Sequence, residues 1–141
     1  IAARLQDLMA DLEPVIAEAD WDALAGAIQG FGRRHALVVL LTPLEPSAIE
    51  EGLLTALPTL TRHHRVVLAS VRDPELDRLA ATRSTIEEVY DAAAAEQALR
   101  RRERTAELLT RLGVDVVDRD AEQLPPALAD HYLGLKAQGL L

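Results

Sequence analysis

The sequence has no cysteine among its 141 residues. That excludes a disulfide framework, thiol catalysis and a cysteine-based zinc site, and it leaves the redox compartment open. Aromatic side chains are only 3% of the chain, one Trp, one Phe and two Tyr, too few for a base-stacking surface. Positive charge is also scarce. Fifteen Lys and Arg face 23 Asp and Glu, for a net charge of −8. Such a domain repels phosphate backbones, so nucleic acid is not an expected partner. No apolar run approaches the roughly 18–20 residues of a membrane span. A chain of this length fits a single domain over residues 1–141, with enough buried surface to hold a core without metal or cross-links.

What is present is helix-forming. Ala and Leu together are about a third of the chain, and all but one of the basic residues are Arg; these are strong helix formers. Leu5, Leu8, Met9 and Leu12 follow helical spacing over Ile1–Leu12. Pro14 marks a break. Asp20 is placed to cap a helix over Trp21–Gln29, ended by Gly30 and Gly32. His35–Thr42 is a continuous apolar run rather than an alternating one, which suits a strand covered on both faces of a parallel sheet.

Ser47-x-x-Glu50 predicts a capping box opening a helix to about Leu57, with Pro58 kinking or restarting it near its end at His63–His64. A second buried strand follows over about 66–72. Asp73-Pro74 then predicts a short helix to about Ala81. Ser84-x-x-Glu87 predicts the cap of a long helix over Thr85–Leu112, closed by Gly113. Val114–Asp118 is a third strand, and Pro125-Pro126 opens a last helix to about Ala137. Strands alternating with helices imply right-handed crossovers and an α/β fold, a three-layer Rossmann-like parallel sheet with flanking helices. Three strands are few for such a fold, and the first helix carries an apolar stripe that needs a partner.

Four stretches of this chain, LEPVIAEADWDALAGAI, RRHALVVLLTPLE, RHHRVVLASVRDPELDRLA and RLGVDVVDRDAEQLPPALADHYLGLKAQGLL, together resemble the C-terminal part of one bacterial family. It is the von Willebrand factor A-like family of domain of unknown function 58, associated with MoxR-type AAA+ ATPases. The resemblance implies a sheet in the order 3-2-1-4-5-6, of which this chain holds the fourth, fifth and sixth strands. It implies a parent with membrane-spanning helices upstream, so that contact with the membrane comes only through that region. The domain itself is then soluble and on the cytoplasmic face. The partner it implies is the AAA+ ATPase.

It also implies a Mg²⁺ site in the full-length parent, built from an Asp-x-Ser-x-Ser loop, a Thr and an Asp after the fourth strand. Here that last loop reads Thr42-Pro43, and proline offers no side-chain oxygen. Thr42 and Glu45 are the metal candidates of that loop; Asp115, Asp118 and Asp120, crowded in one short segment, read either as a cation site or as solvated turn carboxylates, and this chain alone is expected to hold neither metal nor cofactor.

Ligands of open parallel sheets bind beyond the carboxyl ends of the strands. That edge holds Thr42 and Glu45, then Ser70, Arg72 and Asp73, then Asp118 and Asp120. These seven are the candidate partner-binding residues. Arg72 reads either as an anion-binding group or as the partner of a nearby acid. Asp73 and Asp120 also read as caps. His63 and His64, adjacent and at the opposite end of a strand, read as turn residues, as does His35; His131 reads as helix surface. The Arg100-Arg101-Arg102-x-Arg104 cluster reads as a solvated face paired with Glu96, Glu103 and Glu107. No nucleophile elbow, phosphate loop or metalloprotease motif is present, so no residue is expected to be catalytic. The expectation is a non-catalytic protein-interaction module. The alternative is a small ligand-binding or hydrolytic domain acting at the same edge. An unpaired edge on the strand His35–Thr42 also predicts a homodimer.

Overall fold

The run Val66–Ala69 has no polar face to offer solvent, and the fold covers it on both sides. The computed structural model describes residues 2–13, 19–30 and 35–141. Strands β1 (Leu37–Leu41), β2 (Arg65–Val71) and β3 (Val114–Arg119) form one parallel sheet in the order β1-β2-β3. In register, Val66 lies between Val38 and Val114, and Leu68 between Leu40 and Val116. Val66, Val67, Leu68, Ala69 and Ser70 each expose 2% of their surface or less, as a central parallel strand requires.

The helices are α1 (Ala2–Met9), α2 (Trp21–Gly30), α3 (Pro46–Ala48), α4 (Leu54–Thr61), α5 (Glu75–Ala81), α6 (Ile86–Arg111) and α7 (Leu124–Ala137). One sheet face carries Leu40, Val66, Leu68 and Val114, packed with Ala25 of α2, Leu57 and Leu60 of α4 and Leu109 of α6. The other carries Val67, Ala69 and Val117 beneath Leu124, Ala127 and Leu128 of α7. The layers are therefore α/β/α, with α7 covering its face beside β2 and β3. Among the described residues, no helix is long and apolar enough to cross a membrane.

Several local signals act as their chemistry predicts. The Asp20 carboxylate accepts from Ala23 N at 2.8 Å, and that of Asp73 from Glu75 N at 2.9 Å. Gly113 and Gly139 follow the ends of α6 and α7 in the left-handed region, at φ +83° and +69°. The breaks at Pro14 and Gly32 lie outside the described residues.

Other expectations fail. Ser47 is not the N-cap of the helix it was expected to open. Pro46 instead opens α3 after an uncapped Glu45, and a π-helical turn over Ile49–Leu53 follows. Pro58 does not restart the helix: α4 runs through it to Thr61. The irregularity falls one turn earlier, where the widened π turn brings Gly52 against the Trp21 ring. The second capping box forms one residue later than expected. Thr85 Oγ1 accepts from Glu88 N at 3.2 Å, and Glu88 Oε2 accepts from Thr85 N at 3.0 Å. Both Ser84 and Thr85 precede a Glu by three residues. The later register is the one that turns Ala92, Ala95 and Leu109 inward.

His64 is not a solvated turn residue; it is 6% exposed, and its Nδ1 meets no partner. His131 is not bare helix surface either. Its Nε2 lies 3.1 Å from Asp115 Oδ2. Arg65 holds the same carboxylate in a fork, at 3.0 and 3.1 Å. That triad fastens α7 to the amino end of the sheet.

The contact between Gly52 and Trp21 yields a signed test. A Cβ built on Gly52 falls 2.5 Å from Trp21 Cδ1, whereas one on Gly26 of α2 meets nothing within 4 Å. Gly52→Ala is expected to lower stability by about 1–3 kcal/mol through overpacking. Gly26→Ala is expected to raise it by about 0.5–1 kcal/mol through helix propensity. Urea unfolding followed by the fluorescence of Trp21 measures both, and equal midpoints would contradict this account of the π turn.

Candidate functional site

At the carboxyl edge the strands end in polar groups aimed at the α6 side of the sheet. Side chains alternate along a strand, so Ser70 follows Val66 and Leu68 onto that face, and Asp118 follows Val114 and Val116. Both meet Arg102. The Arg102 guanidinium grips Asp118 in a fork, Nε to Oδ2 at 3.2 Å and Nη2 to Oδ1 at 2.7 Å. Nη2 also donates to Ser70 Oγ at 2.9 Å and to the Val71 carbonyl at 3.2 Å. Ser70 Oγ in turn accepts from Leu44 N at 3.1 Å, so the loop after β1 is held by the same hydroxyl. On the solvent side, Arg102 Nη1 lies 3.7 Å from Glu45 Oε1.

Arg102 is thus not part of a solvated basic face. Its side chain is 10% exposed and that of Asp118 is 18%. The residue lies on the inward stripe of α6 with Ala92, Ala95, Thr105 and Leu109, at helical spacing from each. Its neighbours do behave as surface: Arg100 pairs with Glu96 at 3.2 Å and Arg111 with Glu107 at 3.7 Å.

Of the seven candidates, Glu45, Ser70 and Asp118 converge on Arg102. Asp73 and Asp120 are caps; the Asp120 carboxylate accepts from Gln123 N at 2.7 Å. Arg72 reaches Asp77 at 3.5 Å, which satisfies the plainer of its two readings in part. Thr42 stands outside the network, its backbone N extending the sheet to Ala69 O at 3.3 Å. The pair Thr42 and Glu45 does not fit a metal ion. The Glu45 carboxylate faces a fixed guanidinium, and among the described residues no group of three His, Asp or Glu side chains is placed to hold a cation.

Beside the network a cleft of about 520 Å³ opens between α6 and β3. Leu44, Leu99, Ala106 and Val116 supply its apolar lining, and Arg72, Arg102 and Arg119 are among its polar groups. The chemistry available to Ser70 is narrow. The residue is 1% exposed and its oxygen already accepts two hydrogen bonds, one from a cation, so it is neither reachable nor activated as a nucleophile. The Glu75 carboxyl is held below its usual range by its hydrogen bonds from Arg78, which is raised in return. Both are exposed on α5 and belong to neither the network nor the cleft.

No protein-family model matches the chain, and neither a curated protein nor a solved structure is found similar to it.

The network predicts a strong coupling. Asp118→Ala leaves a buried guanidinium uncompensated and is expected to cost about 3 kcal/mol or more. The double variant Arg102→Met/Asp118→Leu replaces the pair by apolar groups and is expected to cost well under the sum of the two single changes. Chemical denaturation of the four proteins tests this, and additive losses would show that the pair is not coupled.

Proposed function

We propose that this chain is a non-catalytic protein-interaction module. In this reading it forms the C-terminal half of a von Willebrand A-like domain, in a larger membrane-associated bacterial protein that works with a MoxR-type AAA+ ATPase. The observation that carries the proposal is the outer edge of β1. Among the described residues that strand pairs with β2 alone; it has no charged residue and no proline from Leu37 to Leu41, and leaves Leu41 76% exposed. Edges are ordinarily guarded by charge, proline or a covering element. Leu8, Met9 and Leu12, at and beyond the end of α1, are exposed as well. Unguarded apolar surface of this kind marks a place of assembly.

Three parallel strands in sequential order with the first at a free edge are also what half of a 3-2-1-4-5-6 sheet presents. In the parent, a preceding strand takes the β1 edge. In the isolated chain a second copy takes it, across a two-fold axis where an uncharged strand meets itself without repulsion. The carboxyl edge, with Glu45, Asp73 and Arg72 toward solvent and the Arg102 network rigid behind them, faces the partner.

Light scattering of the chain at high concentration is expected to give a dimer. Leu41→Lys is expected to give a monomer with an unchanged circular dichroism spectrum. A monomer at high concentration for the unsubstituted chain of residues 1–141 overturns the pairing. For the ATPase, the full-length protein is expected to bind it in at least one nucleotide state, and absence of binding in every state overturns that part.

A further inference from the structure

The sheet face under α7 is covered on one side only. α7 packs on β2 and β3. In register, Leu37 lies beside Arg65, Val39 beside Val67 and Leu41 beside Ala69. Alternation along the strand therefore puts Leu37, Val39 and Leu41 on the α7 face. Val67 and Ala69 are buried there, whereas Leu37 and Val39 are half-buried and Leu41 is exposed. His131 is turned toward Asp115 of β3. Tyr132, about 100° further round the helix, stands on the flank of α7 that overlooks β1, and it is exposed as well.

A second apolar surface of the same chain also lacks cover. Leu8, Met9 and Leu12 are 70%, 55% and 70% exposed, and none of the described residues of α1 enters either core cluster. One chain thus carries a bare apolar floor and an apolar helix outside any core.

The dimensions of the two match once β1 pairs with its mate. A two-fold axis perpendicular to the sheet keeps like faces together, so Leu37, Val39 and Leu41 of both copies form one floor. Each α7 lies over β2 and β3, so the two α7 helices stand four strand spacings apart, about 19 Å. Packed helices lie roughly 8–10 Å apart, so the gap admits one helix along its middle. Its length is that of α7, 14 residues or about 21 Å. α1 has 8 residues and is about 12 Å long, so two such helices end to end fill the gap. The eight residues between Leu12 and Trp21 can extend over roughly 26 Å. Trp21 already lies against Gly52, in the segment that follows β1, so α1 can pass over the carboxyl end of that strand. The floor and the α7 residues Leu128 and Tyr132 carry no charge, and Asp7 lies on the far side of α1 from Leu8 and Leu12. Docking therefore buries no unpaired charge.

We propose that the α1 helices of two copies dock end to end in this channel, Leu8, Met9 and Leu12 resting on the joint floor of Leu37, Val39 and Leu41. Each α1 then closes a core shared with the second copy. The channel exists only if β1 pairs as proposed above, so the docking rests on that reading.

The test uses a nitroxide on α1. The chain has no cysteine, so Asp7→Cys takes a single label on the outer side of the helix. An isotopically unlabelled chain carrying the nitroxide is mixed with a ¹⁵N-labelled chain without it, at a concentration where light scattering shows the dimer. The amide resonances of the ¹⁵N copy are expected to broaden most over Leu37–Leu41 and Leu128–Tyr132, and to recover when the nitroxide is reduced. The double variant Leu8→Gln/Leu12→Gln is expected to keep its circular dichroism spectrum and to dimerise tenfold or more weakly. Leu133→Gln, on the solvent side of α7, is expected to dimerise as before. A dimer without broadening between copies, or undiminished association of the double variant, overturns the docking and leaves the β1 pairing standing. Broadening of the same amides in a dilute, monomeric chain carrying both labels places α1 on its own sheet and also overturns it. A chain that is monomeric at every concentration removes the pairing and the channel together.

Discussion

The fork between Arg102 and Asp118 is the contact on which the upper half of the molecule depends. It joins α6 to β3, and through Ser70 and the Val71 carbonyl it joins both to β2. Through the Ser70 hydroxyl it also fixes the loop after β1. One guanidinium therefore sets the relative positions of all three strand ends. Such a pair adds little net stability, because desolvating two charges offsets most of their attraction. What it adds is uniqueness. An arginine at this depth has one set of acceptors, and a slip of α6 along the sheet removes them all. At the other end, on the opposite face, Arg65, Asp115 and His131 do the same for α7. The sheet is thus clamped diagonally by two polar clusters, with apolar packing between them.

The clamp also separates what the carboxyl edge can do from what it resembles. A serine, two acids and an arginine at the ends of parallel strands look, in sequence, like the raw material of a site. In three dimensions Ser70 and Asp118 are turned inward and satisfied by Arg102, while Asp73 and Asp120 cap the segments that follow. What remains accessible nearby is the cleft between α6 and β3, where Leu44, Leu99, Ala106 and Val116 share the lining with charged residues.

Much of the fold was legible because its signals are local. The strand runs are apolar on both faces, and a parallel sheet is the only common place for such runs. Asp20, Asp73, Gly113 and Gly139 mark helix ends for reasons contained in one or two residues. The misses have the opposite character. Ser47 and Thr85 were each one of several polar residues able to cap, and tertiary burial decided between them. Pro58 reads as a breaker only where the helix around it is regular, and here the π turn at Ile49–Leu53 absorbs the irregularity. Arg102 was hidden inside a run of arginines. The signal that singles it out is its spacing from Ala95, Thr105 and Leu109 on one helical stripe, which the charge of its neighbours masks. The cleft was not legible at all, since it depends on how α6 lies against β3.

The two faces of the sheet are covered unequally, and this bears on how the protein opens. On the α7 side, Val67, Ala69 and Val117 lie under a helix, whereas Leu41 on β1 is bare. β2 is hydrogen-bonded on both edges and shielded on both faces, so its amides can meet solvent only when the whole domain unfolds. β1 is bonded on one edge and half covered, so it can peel away while the rest stays folded. In deuterium the three strands would therefore not exchange as one unit. β1 would lose its protons first, and the difference between its opening energy and that of β2 would measure how much of the stability of the sheet is left for a neighbouring strand to supply.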